Sequence, residues 1–170
     1  MAIEGSSKRA KEDESWQTKF SPLDTDIVQD IGNDPIAVST IINTFLVERI
    51  LIDDGSAVEV LIWKAFKEMG LEKSQPKPSR PIYGFANQPI RPKRIITLPI
   101  TIGQGEHTTT VMADFLVVDQ SSAYNAIIGR PLMKKTNMVS IVYCLTIKFS
   151  TPTGVGYIKA DQATARQCHI

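Results

Sequence analysis

Apolar residues along this chain come in short, β-branched runs separated by polar or glycine-containing breaks. Residues 36–46 read as one strand and 47–52 as a second, with a short turn near 43–45 between them. From 58 to 69 the period changes. Leu61, Ala65, Phe66 and Met69 fall at helical spacing and Gly70 stands where a helix closes, which predicts a helix there. Pro76, Pro78 and Pro81 then enforce an extended connection. A short strand over 81–85, a polar loop over 86–93 and a strand over 94–102 make a long hairpin with a projecting tip, and Pro99 suits an edge. A turn at 103–105 leads to a strand over 108–118. A buried strand over 125–129 precedes a short helix, 132–136, opened by Pro131. Residues 139–149 and 154–159 pair as a last hairpin, and 162–167 form a short helix or a linker. Many short strands with one or two short helices predict an all-β barrel or sandwich rather than an alternating βαβ fold.

Composition narrows the function classes. The 170 residues, 42% hydrophobic, suffice for one domain with a real core. A net charge of +1 gives no global field for nucleic acid or an anionic membrane. No apolar run approaches the roughly 20 residues of a membrane span. Residues 1–33 start polar and charged, unlike a secretory signal, and are expected to be a disordered or linker tail. Cys144 and Cys168 cannot build a disulfide framework, so a reduced intracellular setting is expected. His107 and His169 lack metal spacing to them, and neither a metal site nor a cofactor is assigned.

The chemistry concentrates at residues 49–57, where the run Ile50, Leu51, Ile52 drives into Asp53, Asp54, Gly55 and Ser56. A buried strand ending on a carboxylate places that group where desolvation can tune its proton affinity. Gly55 allows a tight turn and Ser56 sets a hydroxyl beside the acid. An ordinary Asp-Gly hairpin turn is the competing reading. A second Asp-x-Gly triplet, Asp30 to Gly32, lacks a buried run before it. Trp63 and Phe66 are assigned to core packing, and Lys73, Lys77 and Arg80 to a solvated face.

Four motifs recur in one order: the apolar run into Asp53 to Ser56, Gly84-Phe85 entering a hairpin, Asp114-Phe115-Leu116-Val117-Val118, and Asn125-Ala126-Ile127-Ile128-Gly129-Arg130-Pro131. Together they resemble the retropepsin-type aspartic protease of gypsy-type LTR retrotransposons, in the version common in plant genomes, over roughly residues 34–167. The resemblance implies a closed, barrel-like acid protease (retropepsin) fold over 34–150, with 151–170 as a final hairpin strand and linker. Asp53 would be the catalytic aspartate, Asp54, Gly55 and Ser56 its loop, and Ser56 the hydroxyl that bonds the carboxylate. A hairpin from Ile82 to Ile96 would be the flap, with Tyr83, Gly84, Phe85, Ala86, Asn87 and Gln88 meeting substrate. Ile127, Ile128 and Gly129 would support the loop from behind.

One aspartate per chain implies a homodimer acting on a polypeptide, here a retroelement polyprotein, in an intracellular, cytoplasmic particle rather than in secretion. This chain has Asp54 where the family carries Thr or Ser, and Asn87 and Arg94 where glycine often stands. The alternative is a catalytically inactive dimerisation or peptide-binding module of the same fold. A nucleic-acid-binding barrel would need a basic stripe with interleaved aromatics. Arg80, Arg91, Lys93 and Arg94 near Tyr83 and Phe85 fit a solvated flap surface better. Neither nucleic acid nor membrane is an expected partner.

Overall fold

The computed structural model describes residues 18–19, 21, 33–73, 82–83 and 89–168. Strands β1 (Ala37–Ile42) and β2 (Phe45–Ile52) form a hairpin across Asn43 and Thr44. Next come β3 (Glu59–Ile62) and helix α1 (Trp63–Glu68). The helix expected over 58–69 is thus a strand in its first half. All four residues of β3 are buried, because it lies between two other strands and both its faces are covered. Burial on both faces erases the alternation that marks a strand. Gly70 follows α1 at φ 67, the left-handed residue that ends it.

Strands β4 (Ile82–Tyr83) and β5 (Pro89–Ile90) pair as Ile82 with Ile90 and Tyr83 with Pro89. The expected flap hairpin of 82–96 is therefore shorter, and its tip, Gly84, Phe85, Ala86, Asn87 and Gln88, lies outside the described residues. So do the prolines at 76, 78 and 81 and most of the N-terminal tail. The strand starting at Arg94 belongs elsewhere. It is β6 (Arg94–Gln104), paired along its whole length with β7 (His107–Val118) around Gly105.

Pro99 does not mark an edge, since β6 lies between β7 and β1. Its carbonyl accepts the Asn43 N–H at 2.7 Å, on the β1 side. Its nitrogen points the same way, past the pairs of Ile41 with Thr101 and Ile42 with Ile100, where β1 has given way to its turn.

The chain continues through β8 (Ala126–Ile128), α2 (Arg130–Lys135), β9 (Val139–Ile141), β10 (Thr146–Thr151), β11 (Gly154–Lys159) and α3 (Gln162–Gln167). Six strands close a barrel in the order β1-β2-β8-β3-β7-β6, and β9, β10 and β11 form a separate sheet. The barrel is filled by Ile42, Ile50, Leu61, Ile100, Phe115 and Ile128, with Phe66 of α1 in the same core. A smaller cluster joins Val60, Ile62 and Val118 to Val58, Ile90 and Ile127.

One feature of this order positions the site. β8 runs parallel to β2 and antiparallel to β3, inserted between two strands that are consecutive in sequence. The β2–β3 connection, residues 53–58, must therefore step across the end of β8.

Near the other end of β2 an extra residue opposes β1 between the pairs of Val38 with Ile50 and Thr40 with Val47. Arg49 takes the left-handed conformation there, φ 55. Asn125, just before β8, donates its side-chain amide to the Glu48 carbonyl and its N–H to the Arg49 carbonyl, both at 2.9 Å.

Candidate active site

Asp53 is the first residue past β2, where the barrel ladder stops and the crossing begins. Its N–H still donates to the Ile128 carbonyl at 2.9 Å, so the backbone leaves the barrel in a defined direction. Its carbonyl accepts the Ser56 N–H at 3.1 Å, closing a tight turn. Its carboxylate Oδ1 accepts the Gly55 N–H at 2.9 Å. Gly55 is not in the left-handed region; a Cβ there would stand 3.1 Å from that same Oδ1. The glycine keeps space for the acid as well as turning the chain. Asp53 is half-buried, and among the described residues no cation pairs with it.

Ser56 acts differently from the expectation. Its hydroxyl donates to the Val58 carbonyl at 2.7 Å, and the carboxylate takes its hydrogen bond from Gly55 instead. A serine two residues ahead of a turning carbonyl satisfies it locally. Asp54 points its side chain into solvent.

Ile127 and Ile128 lie in β8, in register with Leu51 and Ile52 of β2. Gly129 follows, directly beneath the crossing. A Cβ on it would meet the Val58 carbonyl oxygen at 2.4 Å and the Ser56 oxygen at 2.8 Å. Only glycine lets the loop pass this close.

Arg130 is the functional residue that sequence reasoning left without a role. Its N–H donates to the Ser56 carbonyl at 2.9 Å. Its guanidinium donates to the carbonyls of Asp54 and Gly55 at 3.1 and 3.0 Å. Three consecutive loop carbonyls are thus held by one residue. The Gly-Arg pair before a helix-opening proline was the available signal.

Glu59 was also passed over, inside an apolar run. It is 3% exposed, and its Oε1 accepts the Leu132 N–H of α2 at 2.7 Å. Burial raises its pKa above the ordinary carboxylate range, against the opposing pull of that hydrogen bond.

Aromatic contacts fasten the chain at the start of β6 onto α1. Trp63 and Phe66 stack with centroids 5.2 Å apart. Lys93 lies 4.3 Å over the Trp63 ring and Arg94 4.9 Å over Phe66. Lys93 also pairs with Asp119 at 2.7 Å. Lys93 and Arg91 are exposed, as the solvated surface expected there requires, while Arg94 is half-buried against the rings of α1; Arg80 lies outside the described residues. Tyr83 lies in β4, paired with Pro89. Among the described residues no three His, Cys, Asp or Glu side chains gather closely enough to hold a metal ion.

A closed six-stranded barrel whose acid-bearing loop crosses an inserted strand defines an acid-protease type of architecture, and the chain has the retropepsin fold. The retroviral protease-like domain of Ddi1 from Leishmania major superposes over 74% of this chain and 94% of its own length, with 18% identity and a TM-score of 0.51. A retropepsin-like aspartic protease from Rickettsia conorii covers 72% of this chain and 83% of its own length at 15% identity, TM-score 0.47. The EIAV protease complexed with the inhibitor HBY-793 covers 64% and 93% at 18% identity, TM-score 0.45. No protein-family model matches the sequence, and no curated protein does.

Proposed function

We propose that this chain is an aspartic endopeptidase that acts as a homodimer, with Asp53 of each copy forming a two-carboxylate dyad. The observation that carries the reading is the placement of Asp53. It stands at the mouth of a retropepsin-fold barrel, its carboxylate oriented by the Gly55 N–H and its loop held by Arg130.

Peptide hydrolysis at such a site needs a base to take a proton from water and an acid to protonate the carbonyl oxygen and then the leaving amine. Two carboxylates sharing one proton do both, because two like charges so close cannot both ionise cheaply. Each barrel offers one such loop, so a twofold axis supplies the second acid. The substrate is an extended polypeptide laid under the β4–β5 hairpin, with the cluster of Val58, Val60, Ile62, Ile90, Val118 and Ile127 as an apolar wall. The motif order supports a retroelement of the gypsy type found in plants, whose polyprotein is the substrate in a cytoplasmic particle.

A second reading, an inactive dimerisation or peptide-binding module, is favoured by one observation: the exposed carboxylate of Asp54 next to Asp53. One experiment separates them. The purified chain and its Asp53→Asn variant are incubated with a flanking polyprotein fragment across pH 4 to 7. Cleavage is expected in the first alone, and a pepstatin-type inhibitor should abolish it. Identical products from both samples would remove the peptidase reading.

A further inference from the structure

Two carboxylates are buried among the described residues, Asp34 and Glu59. Asp34 bonds Gln162 and Arg166. Glu59 has no ion pair among the described residues; its partner is a backbone amide, Leu132 N–H, at the start of α2. Burying a charged group without a counter-ion is unfavourable. The fold around α2 shows what it accomplishes.

A helix opens with N–H groups that have no intrahelical acceptor, usually satisfied by a Ser, Thr, Asp or Asn at the N-cap. Here the N-cap is Gly129, and no side chain caps the helix from that position. It cannot be otherwise, since any Cβ on it would strike the loop carbonyls. The helix therefore takes acceptors from outside. Arg130 N–H goes to the Ser56 carbonyl, Pro131 has no N–H, and Leu132 N–H goes to Glu59. Met133 N–H reaches back to Gly129. Glu59 and the Asp53 loop are thus the two acceptors on which the first turn of α2 rests.

We propose that Glu59 is a positioning residue for Asp53, acting through the first turn of α2 and Arg130. Its carboxylate sets where Leu132 sits and so where Arg130, two residues earlier in the same turn, presents its N–H and guanidinium. Those groups hold the carbonyls of Asp54, Gly55 and Ser56, and Gly55 in turn orients the Asp53 carboxylate. Lys135 of α2 and Asp114 of β7 are the charged groups that face Glu59; the backbone amide is its hydrogen-bond partner. The catalytic consequence rests on the reading of Asp53 above, whereas the coupling of Glu59 to the loop does not.

The test uses the full chain with Glu59→Gln, which keeps an acceptor of the same reach, Glu59→Leu, which removes it, and Glu59→Asp, which withdraws it by one methylene. Two quantities are read: amide hydrogen exchange residue by residue, and cleavage kinetics of the polyprotein fragment. Leaving the Leu132 N–H without its acceptor predicts exchange faster by roughly tenfold at Leu132, Arg130 and Gly55 in Glu59→Leu. The same variant should lose about tenfold in kcat with KM nearly unchanged, as expected for an effect on the acid and not on peptide binding. Glu59→Gln should restore both to within a few fold of the parent, and Glu59→Asp should fall between. Faster exchange confined to Leu132, with Arg130 and Gly55 at parent rates, would overturn the proposal. So would Glu59→Gln behaving as Glu59→Leu does. If Glu59→Leu does not fold, Glu59→Asp decides by the same pattern. Exchange is read without turnover, so loss of the peptidase reading and loss of this coupling are told apart.

Discussion

Gly129→Ala is the substitution that tests the architecture most directly. A Cβ at this position would stand 2.4 Å from the Val58 oxygen, 2.8 Å from the Ser56 oxygen and 3.1 Å from the Val58 carbonyl carbon. All three are backbone atoms, so no rotamer change relieves the contact. Both oxygens are also engaged, Val58 by the Ser56 hydroxyl and Ser56 by the Arg130 N–H. Moving them strains two hydrogen bonds at about 0.5–1.5 kcal/mol each, on top of about 1–3 kcal/mol for overpacking. A loss of about 3 kcal/mol follows, more than a hundredfold in the folding equilibrium. Gly105→Ala is the control. It lies at φ +60 with nothing within 4 Å, so it bears only the left-handed penalty of about 1–2 kcal/mol. Urea unfolding of both variants, compared at equal m-values, gives the difference. If Gly129→Ala is no less stable than Gly105→Ala, β8 does not end beneath the 53–58 crossing, and the account of the Asp53 loop fails with it.

Further outcomes follow from single contacts. Glu59 holds its proton to a higher pH in the folded chain than in the unfolded one. Above the ordinary carboxylate range the native state therefore binds more protons than the unfolded state, and stability contributed at this site falls as pH rises through the raised native value. The Tm of the parent minus that of Glu59→Gln, measured from about pH 4 to 8, should decline; a flat or rising difference contradicts the burial argument. Asn125→Ala removes the bond to the Glu48 carbonyl but leaves the backbone bond to Arg49, and should lose about 1 kcal/mol in urea unfolding. Lys93→Ala loses a cation from over Trp63 and a solvent-exposed ion pair, for about 0.5–1 kcal/mol in total, most of which Lys93→Arg should retain.

How legible the molecule was depends on how far each determinant reaches along the chain. β2 and the acid after it were plain, because an apolar run, a carboxylate and a glycine are neighbours in sequence. β8 was plain for the same reason. β3 was misread because burial on both faces removes the period that separates strand from helix, and Leu61, Ala65, Phe66 and Met69 happen to share helical spacing with α1. Pro99 looked like an edge residue because its neighbours on both sides are set by pairing invisible locally. The hydroxyl of Ser56 was assigned to the carboxylate by proximity in sequence, while the nearer acceptor in space is the Val58 carbonyl. Glu59 was the least legible. Its partner lies 73 residues away, and a lone acid among Val58, Val60 and Leu61 announces nothing until α2 is seen to lack a cap of its own.

The neighbouring acid at 54 makes the last testable difference. Arg130 holds the Asp54 carbonyl, not its carboxylate, and the side chain stays in solvent. In the proposed dimer two such loops meet at the axis, which brings two further negative charges beside the dyad. Exposed like charges a few ångströms apart repel by about 1 kcal/mol in water, about fivefold in a dissociation constant. Asp54→Thr removes both charges and leaves the carbonyl free to keep its bond to Arg130. Sedimentation equilibrium should show a tighter dimer for Asp54→Thr at low ionic strength. The two proteins should converge near 1 M salt, where screening acts within about 3 Å. Equal dimer affinity at low salt would mean that the Asp54 side chains do not face each other across the axis and that their charge does not oppose assembly.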